Sequence, residues 1–259
     1  MSLQAPRPPG AWLVRLKPCE RPRLTLICFP FGGGAAGVFW SWRSALADDI
    51  ELWALRLPGR ESRIAEPFAT DAGEVVAAIV GELKPLRDRA LVFYGHSMGA
   101  GLAYQTAMAL RTNGEPLPKL LIASGRLPPH KPYLGGWGEQ PDDVLVDHVR
   151  RLGGLPEDSL PSPQQQDLLA LSLPKIRADF RLNDTVFYGR AQRFDFPITI
   201  INGVDDPLVD SAGLEEWREH TTGAFRSFTI SGAHFCLQTH PDQLLAIVAA
   251  QLDAVTPAP

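Results

Sequence analysis

The segment from Leu91 to Gly101, LVFYGHSMGAG, constrains the fold of this chain more than any other stretch. Apolar residues run into Gly-x-Ser-x-Gly, and a helical pattern of small residues follows. This order predicts a buried strand, a sharp turn at Ser97 and a helix, so that the serine hydroxyl stands clear at the carboxyl end of the strand. We expect only glycine to fit at Gly95 and Gly99, because side chains there would collide with the neighbouring helix and strand. A tight turn without chemistry is the simpler alternative.

Two backbone amides are candidates for binding negative charge that develops beside Ser97. The turn directs the N–H of Met98 towards the nucleophile, at the first turn of the predicted helix. A glycine-rich loop, residues 31–37, follows an earlier predicted strand, and in serine hydrolases a loop at this position supplies a second N–H. We select Gly32 for this role, with Phe31 as the alternative. The loop matches neither common phosphate-binding glycine pattern.

Strand and helix patterns alternate along most of the chain, which predicts an α/β fold with a mostly parallel sheet. Between residues 126 and 189 the alternation breaks, and two or three helices are predicted, within 142–152, 165–173 and 175–186. We interpret this insertion as a helical lid over the site, with a plain helical subdomain as the alternative. The prediction is one domain over residues 1–259 that contains the lid at 126–189.

Composition and charge argue against several classes of function. The 259 residues carry a formal net charge of −4. The chain has no lysine or arginine block, so nucleic acid and anionic membranes are not expected partners. No apolar run reaches the length of a membrane span, and residues 1–10 lack an apolar signal core. The three scattered cysteines predict reduced thiols in a cytoplasmic protein. Arg60, which closes a predicted Pro-Gly-Arg turn, and Glu61 and Arg63 after it are expected to be solvated loop charges, with a role near the mouth of the cleft as the alternative.

A serine nucleophile requires a base that removes its proton, and six histidines are available. Only His234 follows a predicted strand through a flexible Ser-Gly-Ala turn that can bring the ring to Ser97. His96 adjoins the serine, but neighbouring residues of such a turn point apart, so we expect it to pack beneath the turn. His220 ends a predicted helix, where capping is the expected role. We therefore predict His234 as the base.

The base in turn requires a carboxylate that holds its tautomer. Asp205 and Asp206 both follow the predicted strand that ends at residue 203, and we select Asp206, which precedes a proline. The residues alone leave the choice open, because either aspartate fits a turn-capping role. The chain order serine, acid, histidine is that of the α/β-hydrolase fold.

With these residues identified, the chain resembles the type II thioesterases, stand-alone hydrolases that accompany modular polyketide and non-ribosomal peptide synthases. The family pattern Gly-x-x-Asp-Pro falls on residues 203–207 and supports Asp206 as the acid. Phe31 departs from the family, which usually has histidine there, and this affects local hydrogen bonding rather than the backbone amides. The motifs that carry the resemblance span nearly the whole chain: CFPFGGG (28–34), LPGR (57–60), GHSMG (95–99), ASGR (123–126), LP (173–174), DP (206–207) and GAHF (232–235).

The resemblance implies hydrolysis of acyl thioesters held on the phosphopantetheine arm of acyl or peptidyl carrier proteins. Such enzymes clear stalled or wrongly primed chains. Ser97 would attack the thioester with His234 as base, the N–H groups of Met98 and Gly32 would bind the oxyanion, and water would release the acid. No metal or organic cofactor is needed, and a monomer is expected. The alternatives are a carboxylesterase or lipase, an acyltransferase, and a non-catalytic carrier-binding module, whose signature would be a missing triad residue.

Overall fold

Seven strands form a single sheet in the computed structural model, which describes residues 12–131, 135–154, 163–186, 189 and 192–255. Across the sheet their order is β1-β3-β2-β4-β5-β6-β7; β1 runs antiparallel to β3, and the other pairs are parallel. The strands are β1 (Leu13–Lys17), β2 (Leu24–Phe29), β3 (Ile50–Leu55), β4 (Leu91–His96), β5 (Leu120–Ser124), β6 (Ile198–Gly203) and β7 (Phe225–Ile230).

Helices cover both faces of this sheet, which explains why the central strands are continuous apolar runs. All residues of β2, β4 and β5 are buried. None of the described helices is a candidate for crossing a membrane. The α-helices are α1 (Trp42–Ala45), α2 (Ala72–Leu83), α3 (Met98–Thr112), α4 (Asp142–Arg151), α5 (Pro163–Asp184), α6 (Ser211–Glu215), α7 (Cys236–Thr239) and α8 (Pro241–Asp253).

The arrangement confirms the predicted α/β architecture and places β4 at the centre of the sheet, between β2 and β5. Because parallel strands share one carboxyl edge, the turns after β2, β4 and β6 meet at the same edge. A buried cluster packs α2 and α3 against one face, and a second packs α8 against the other. The chemistry predicted from the sequence therefore lies on a rigid support.

The predicted insertion contains a single long helix where two were expected. α5 continues through Pro174, the residue between the two helices predicted at 165–173 and 175–186. Pro174 is exposed. It removes one backbone donor, and its neighbours on both sides keep helical geometry. Within the insertion, residues 132–134, 155–162 and 187–188 lie outside the described residues.

Candidate active site

Ser97 occupies the turn between β4 and α3 in a backbone conformation that few residues adopt. Its φ is 55° and its ψ is −120°, and its N–H donates to the carbonyl oxygen of Ser124 at 2.8 Å. Strained conformations of this kind cluster at functional sites. The side chain consequently leaves the end of β4 rather than continuing along the strand.

The two glycines of the motif are required by the close packing of this turn. A β-carbon at Gly95 would lie 2.4 Å from the carbonyl oxygen of Gly99, at the start of α3. One at Gly99 would lie 2.1 Å from the carbonyl oxygen of Phe29, at the end of β2. Both contacts are far below the normal separation, so the prediction that only glycine fits at these positions is confirmed.

The structure brings the three predicted side chains into one hydrogen-bonded series. His234 Nε2 lies 2.9 Å from Ser97 Oγ, and His234 Nδ1 lies 2.9 Å from Asp206 Oδ2. The side chains of His234 and Asp206 are only 2% and 0% exposed. Both contacts fit the tautomer that carries its proton on Nδ1, which donates to the carboxylate and leaves Nε2 free to accept from the serine.

Between the two candidate acids, the structure places only Asp206 against the histidine. Its second oxygen, Oδ1, accepts from the N–H of Leu208 at 2.9 Å, which fixes the carboxylate. Asp205 is exposed, and its N–H donates to the carbonyl of Gly232. This contact draws the loop after β6 onto the loop that carries His234. A β-carbon at Gly203 would lie 2.3 Å from the Gly232 oxygen, so glycine at 203 permits the approach.

Of the histidines that the structure describes, His234 is the one that contacts the Ser97 hydroxyl, and the others have different partners. His96 is fully buried beneath the turn, as predicted, with Nδ1 3.0 Å from Ser124 Oγ. The capping role predicted for His220 is wrong. Its ring is fully buried, with Nδ1 2.8 Å from Tyr104 Oη and Nε2 2.9 Å from His130 Nδ1. The short 3-10 helix Glu216–His220 buries both Trp217 and His220, and this packing could not be read from the local sequence.

Buried neutral histidines make the fold sensitive to mild acid. Burial lowers the pKa of His148 and of His220 to about 4, and it lowers the pKa of His96 well below its usual range. In the unfolded chain histidine has a pKa of about 6.5. As pH falls from about 6.5 towards 4, the unfolded chain therefore binds protons that the folded chain does not, and stability is lost across this window.

We expect the Tm, followed by near-ultraviolet circular dichroism, to fall by several degrees between pH 7.5 and pH 5. His148→Phe is the matched variant, because its ring can keep the stacking on Trp137 without titrating. This variant should lose less Tm over the same interval. A Tm that is flat over the interval, or a variant that falls as steeply as the wild type, would contradict the assignment.

The two residues whose amides are predicted to bind the oxyanion, Met98 and Gly32, line the same cavity as Ser97 and His234. Met98 is the first residue of α3, where the N–H groups of a helix have no intrahelical acceptor. Gly32 lies in the loop after β2, and no described residue accepts a hydrogen bond from its N–H. The described amide positions thus suit an anion that forms at the serine.

The cavity above Ser97 has a volume of about 500 Å³. The glycine-rich loop, α4 and α5 form much of its wall. Most of its lining is apolar, which suits a hydrocarbon chain rather than a charged group. The apolar side chains of the lining include Val38, Val149, Leu169, Ile176, Phe180 and Phe235.

Two arginines that were expected to be solvated are buried, so that prediction is wrong. Arg60 and Arg63 are each 4% exposed. Both Nη atoms of Arg60 lie 2.6 Å from the carboxylate of Asp179, on α5. Arg63 pairs with Glu66 at 2.7 Å. The Leu-Pro-Gly-Arg motif marked Arg60, but its partner is 119 residues away and carries no sequence signal.

Comparison with known proteins identifies close structural and sequence relatives. The model of the thioesterase domain family matches residues 24–252. A probable cadicidin biosynthesis thioesterase of Streptomyces griseus is 36% identical over 248 residues, which cover 96% of this chain and 68% of the relative. The type II thioesterase BorB from the borrelidin biosynthetic cluster has a TM-score of 0.83 at 32% identity, over 95% of this chain and 100% of BorB. RedJ, the thioesterase from the prodiginine pathway of Streptomyces coelicolor, has a TM-score of 0.82 at 32% identity, over 88% and 86% of the two chains.

Proposed function

This chain belongs to the thioesterase domain family and has the α/β-hydrolase fold. On that premise we propose that it is an editing thioesterase, which removes incorrect acyl groups from a biosynthetic assembly line. It is a type II thioesterase, a hydrolase that acts on thioesters. The proposed role is to remove stalled or wrongly primed acyl groups from the phosphopantetheine arms of acyl or peptidyl carrier proteins, in polyketide or non-ribosomal peptide biosynthesis. The observation that carries the proposal is the series Ser97, His234, Asp206, in which Ser97 and His234 line an apolar cavity and Asp206 is buried against His234.

In the first half of the proposed reaction, Ser97 Oγ attacks the thioester carbonyl carbon. His234 Nε2 accepts the hydroxyl proton, and Asp206 stabilises the imidazolium through Nδ1–H. The tetrahedral intermediate then collapses, the carbon–sulfur bond breaks, and His234 returns the proton to the leaving pantetheine thiol. The acyl group is left as an ester on Ser97.

In the second half, water takes the place of the thiol. His234 accepts a proton from the water as its oxygen attacks the acyl-serine, and it then protonates Ser97 Oγ as the free acid leaves. In both halves the carbonyl oxygen gains negative charge, and we propose that the N–H groups of Met98 and Gly32 bind it. Fixed donors in a cavity with few polar groups act more strongly than water would at the same distance.

The insertion at residues 126–189 is proposed to form a lid over this cavity. Its helices α4 and α5 contribute Val149, Ile176 and Phe180 to the lining, so the insertion shapes the space that receives the acyl chain. A thin pantetheine arm could then enter while the carrier protein stays at the surface. We propose that residues 1–259 act as one domain with this inserted lid.

The proposal predicts a strong preference for acyl groups presented on carrier proteins. We expect kcat/KM for an acyl carrier protein to exceed that for the p-nitrophenyl ester of the same acid by at least about 10-fold, because only the carrier adds binding energy remote from the reacting bond. Acid release is measured by chromatography with equal concentrations of both substrates. The matched control is the same acyl group on free pantetheine, which isolates the contribution of the carrier.

Two outcomes would contradict the proposal. Cleavage of simple esters without turnover of carrier thioesters would identify a general esterase on the same triad. Transfer of the acyl group to an added alcohol or amine in preference to water would identify an acyltransferase.

A further inference from the structure

We propose that Asp179 and Asn183 of α5 are positioning residues that hold the two oxyanion-binding amides, each through a buried arginine. The inference rests on the proposed function, since it assigns a role within the same site. Asp179 and Asn183 are four residues apart, so they lie on one face of the helix, and both are buried at 2% and 4% exposure. The structure places a different arginine against each.

Asp179 anchors the loop that carries the Gly32 amide. Its Oδ2 accepts from the N–H of Gly33 at 2.7 Å, and its two oxygens accept from Arg60. Arg60 Nη1 also donates to the carbonyl oxygen of Gly34 at 2.7 Å. The bidentate geometry of a guanidinium and a carboxylate restricts orientation as well as distance. Asp179 on α5 thus fixes Gly33 directly and Gly34 through Arg60, the two residues that follow Gly32.

The Gly32 amide itself is oriented through the carbonyl of the preceding residue. The N–H of Gly34 donates to the oxygen of Phe31 at 2.9 Å. Because the peptide unit is planar, a fixed Phe31 oxygen sets the direction of the Gly32 N–H on the opposite side of the same unit. Asp179 and Arg60 hold Gly33 and Gly34 on either side of that contact, so the direction of the Gly32 amide depends on them.

Asn183 acts in the same way on the Met98 amide. Its Oδ1 accepts from Arg126 Nη1 at 2.7 Å, and the same nitrogen lies 3.3 Å from the carbonyl oxygen of Ser97. The peptide unit that contains this oxygen also contains the Met98 N–H. The Ser97 oxygen also accepts from the N–H of Ala100 at 3.0 Å. Arg126 adds a contact from α5 to this oxygen, and because the peptide unit is planar, the contact helps to orient the Met98 amide.

The energetics of buried charge favour positioning over stabilisation as the reason for the Arg60–Asp179 pair. Buried ion pairs are often matched or exceeded in stability by apolar residues of similar volume. Removing one partner alone, in contrast, leaves an unpaired buried charge and destabilises the fold. A test of positioning therefore has to remove both charges together.

The test is the double variant Arg60→Met with Asp179→Leu, assayed for acid release from an acyl carrier protein. We expect kcat to fall about 100-fold, the effect of displacing one oxyanion donor, with KM within about threefold of the wild type. Affinity for an acyl trifluoromethyl ketone, which forms an oxyanion on Ser97, should fall by a similar factor. The Tm should stay close to that of the wild type. If the pair served only to stabilise the fold, kcat would fall only together with the Tm.

The matched control is Arg181→Ala. Arg181 also lies on α5, and its replacement removes an exposed ion pair with Glu139. It should keep wild-type kcat and inhibitor affinity. Asn183→Leu independently tests the contacts from Asn183 through Arg126 to the Met98 amide. We expect at least about a 10-fold loss in kcat and in inhibitor affinity, with KM little changed. This variant carries the test if the double variant does not fold.

Each outcome bears on one proposal. Wild-type kcat and inhibitor affinity in the double variant or in Asn183→Leu would overturn the positioning role while Ser97→Ala stays inactive. Equal losses in Arg181→Ala would overturn it too, because the effect would then follow any weakening of α5. Failure of the wild type to turn over carrier thioesters, or activity in Ser97→Ala, would refute the proposed function instead.

Discussion

Replacing Ser97 by alanine is expected to lower kcat for acid release from acyl carrier proteins by about three orders of magnitude or more. The change removes the oxygen that attacks the thioester, and no other described hydroxyl lies at hydrogen-bond distance from His234 Nε2. The residual rate would come from the oxyanion amides and from substrate binding alone. Single-turnover assays with an acetyl and a longer acyl carrier protein measure the loss.

Ser227→Ala is the matched control, because Ser227 is exposed on β7 and its loss leaves the site intact. Mass spectrometry of rapidly quenched wild-type enzyme should also find the acyl group esterified to the peptide that contains Ser97. Full activity of Ser97→Ala, or an acyl adduct on another residue, would show that the nucleophile is wrongly assigned.

Replacing Asp206 by asparagine is expected to lower kcat by about four orders of magnitude while the fold is retained. An amide that turns its NH₂ group towards His234 Nδ1 favours the tautomer with its proton on Nε2, which cannot accept from Ser97. The adjacent Asp205→Asn supplies an internal control of the same chemistry. Asp205 is exposed and should lose little activity.

The readout is kcat for both variants on one acyl carrier protein, together with the Tm. Equal activity of the two variants would mean that neither carboxylate orients the base. A greater loss in Asp205→Asn would move the acid to Asp205 and would require the loop after β6 to rearrange in solution.

Much of the fold and of the candidate site could be predicted because its signals are local. Gly95 and Gly99 bracket Ser97 by direct steric need, and this need appears in the sequence as the motif itself. The alternation of strand and helix patterns predicted a parallel sheet, and parallel strands bring their carboxyl ends to one edge. His234 and the Asp205–Asp206 pair each follow a strand, so the sheet alone brings them towards Ser97.

The predictions that failed depend on packing between distant segments. Arg60 looked like a loop charge because it closes a Pro-Gly-Arg turn, whereas α5 covers it and provides Asp179. His220 looked like a helix cap, whereas its ring packs into a buried contact with Tyr104. Pro174 looked like a helix boundary, whereas helical geometry continues on both sides. In each case the deciding partner or packing is invisible in the local pattern.

The sequence by itself determined the strand–turn–helix at Ser97, the α/β architecture and the candidate base, because steric and periodic constraints act between near neighbours. The tertiary structure decided which aspartate meets His234. One carboxylate is buried against the ring, and the other faces solvent. It also decided that α5 reaches the glycine-rich loop through Arg60 and the turn at Ser97 through Arg126. Such pairings depend on how a long insertion packs on the sheet. The free-energy cost of burying a charge is offset only when its partner, distant in sequence, lies beside it.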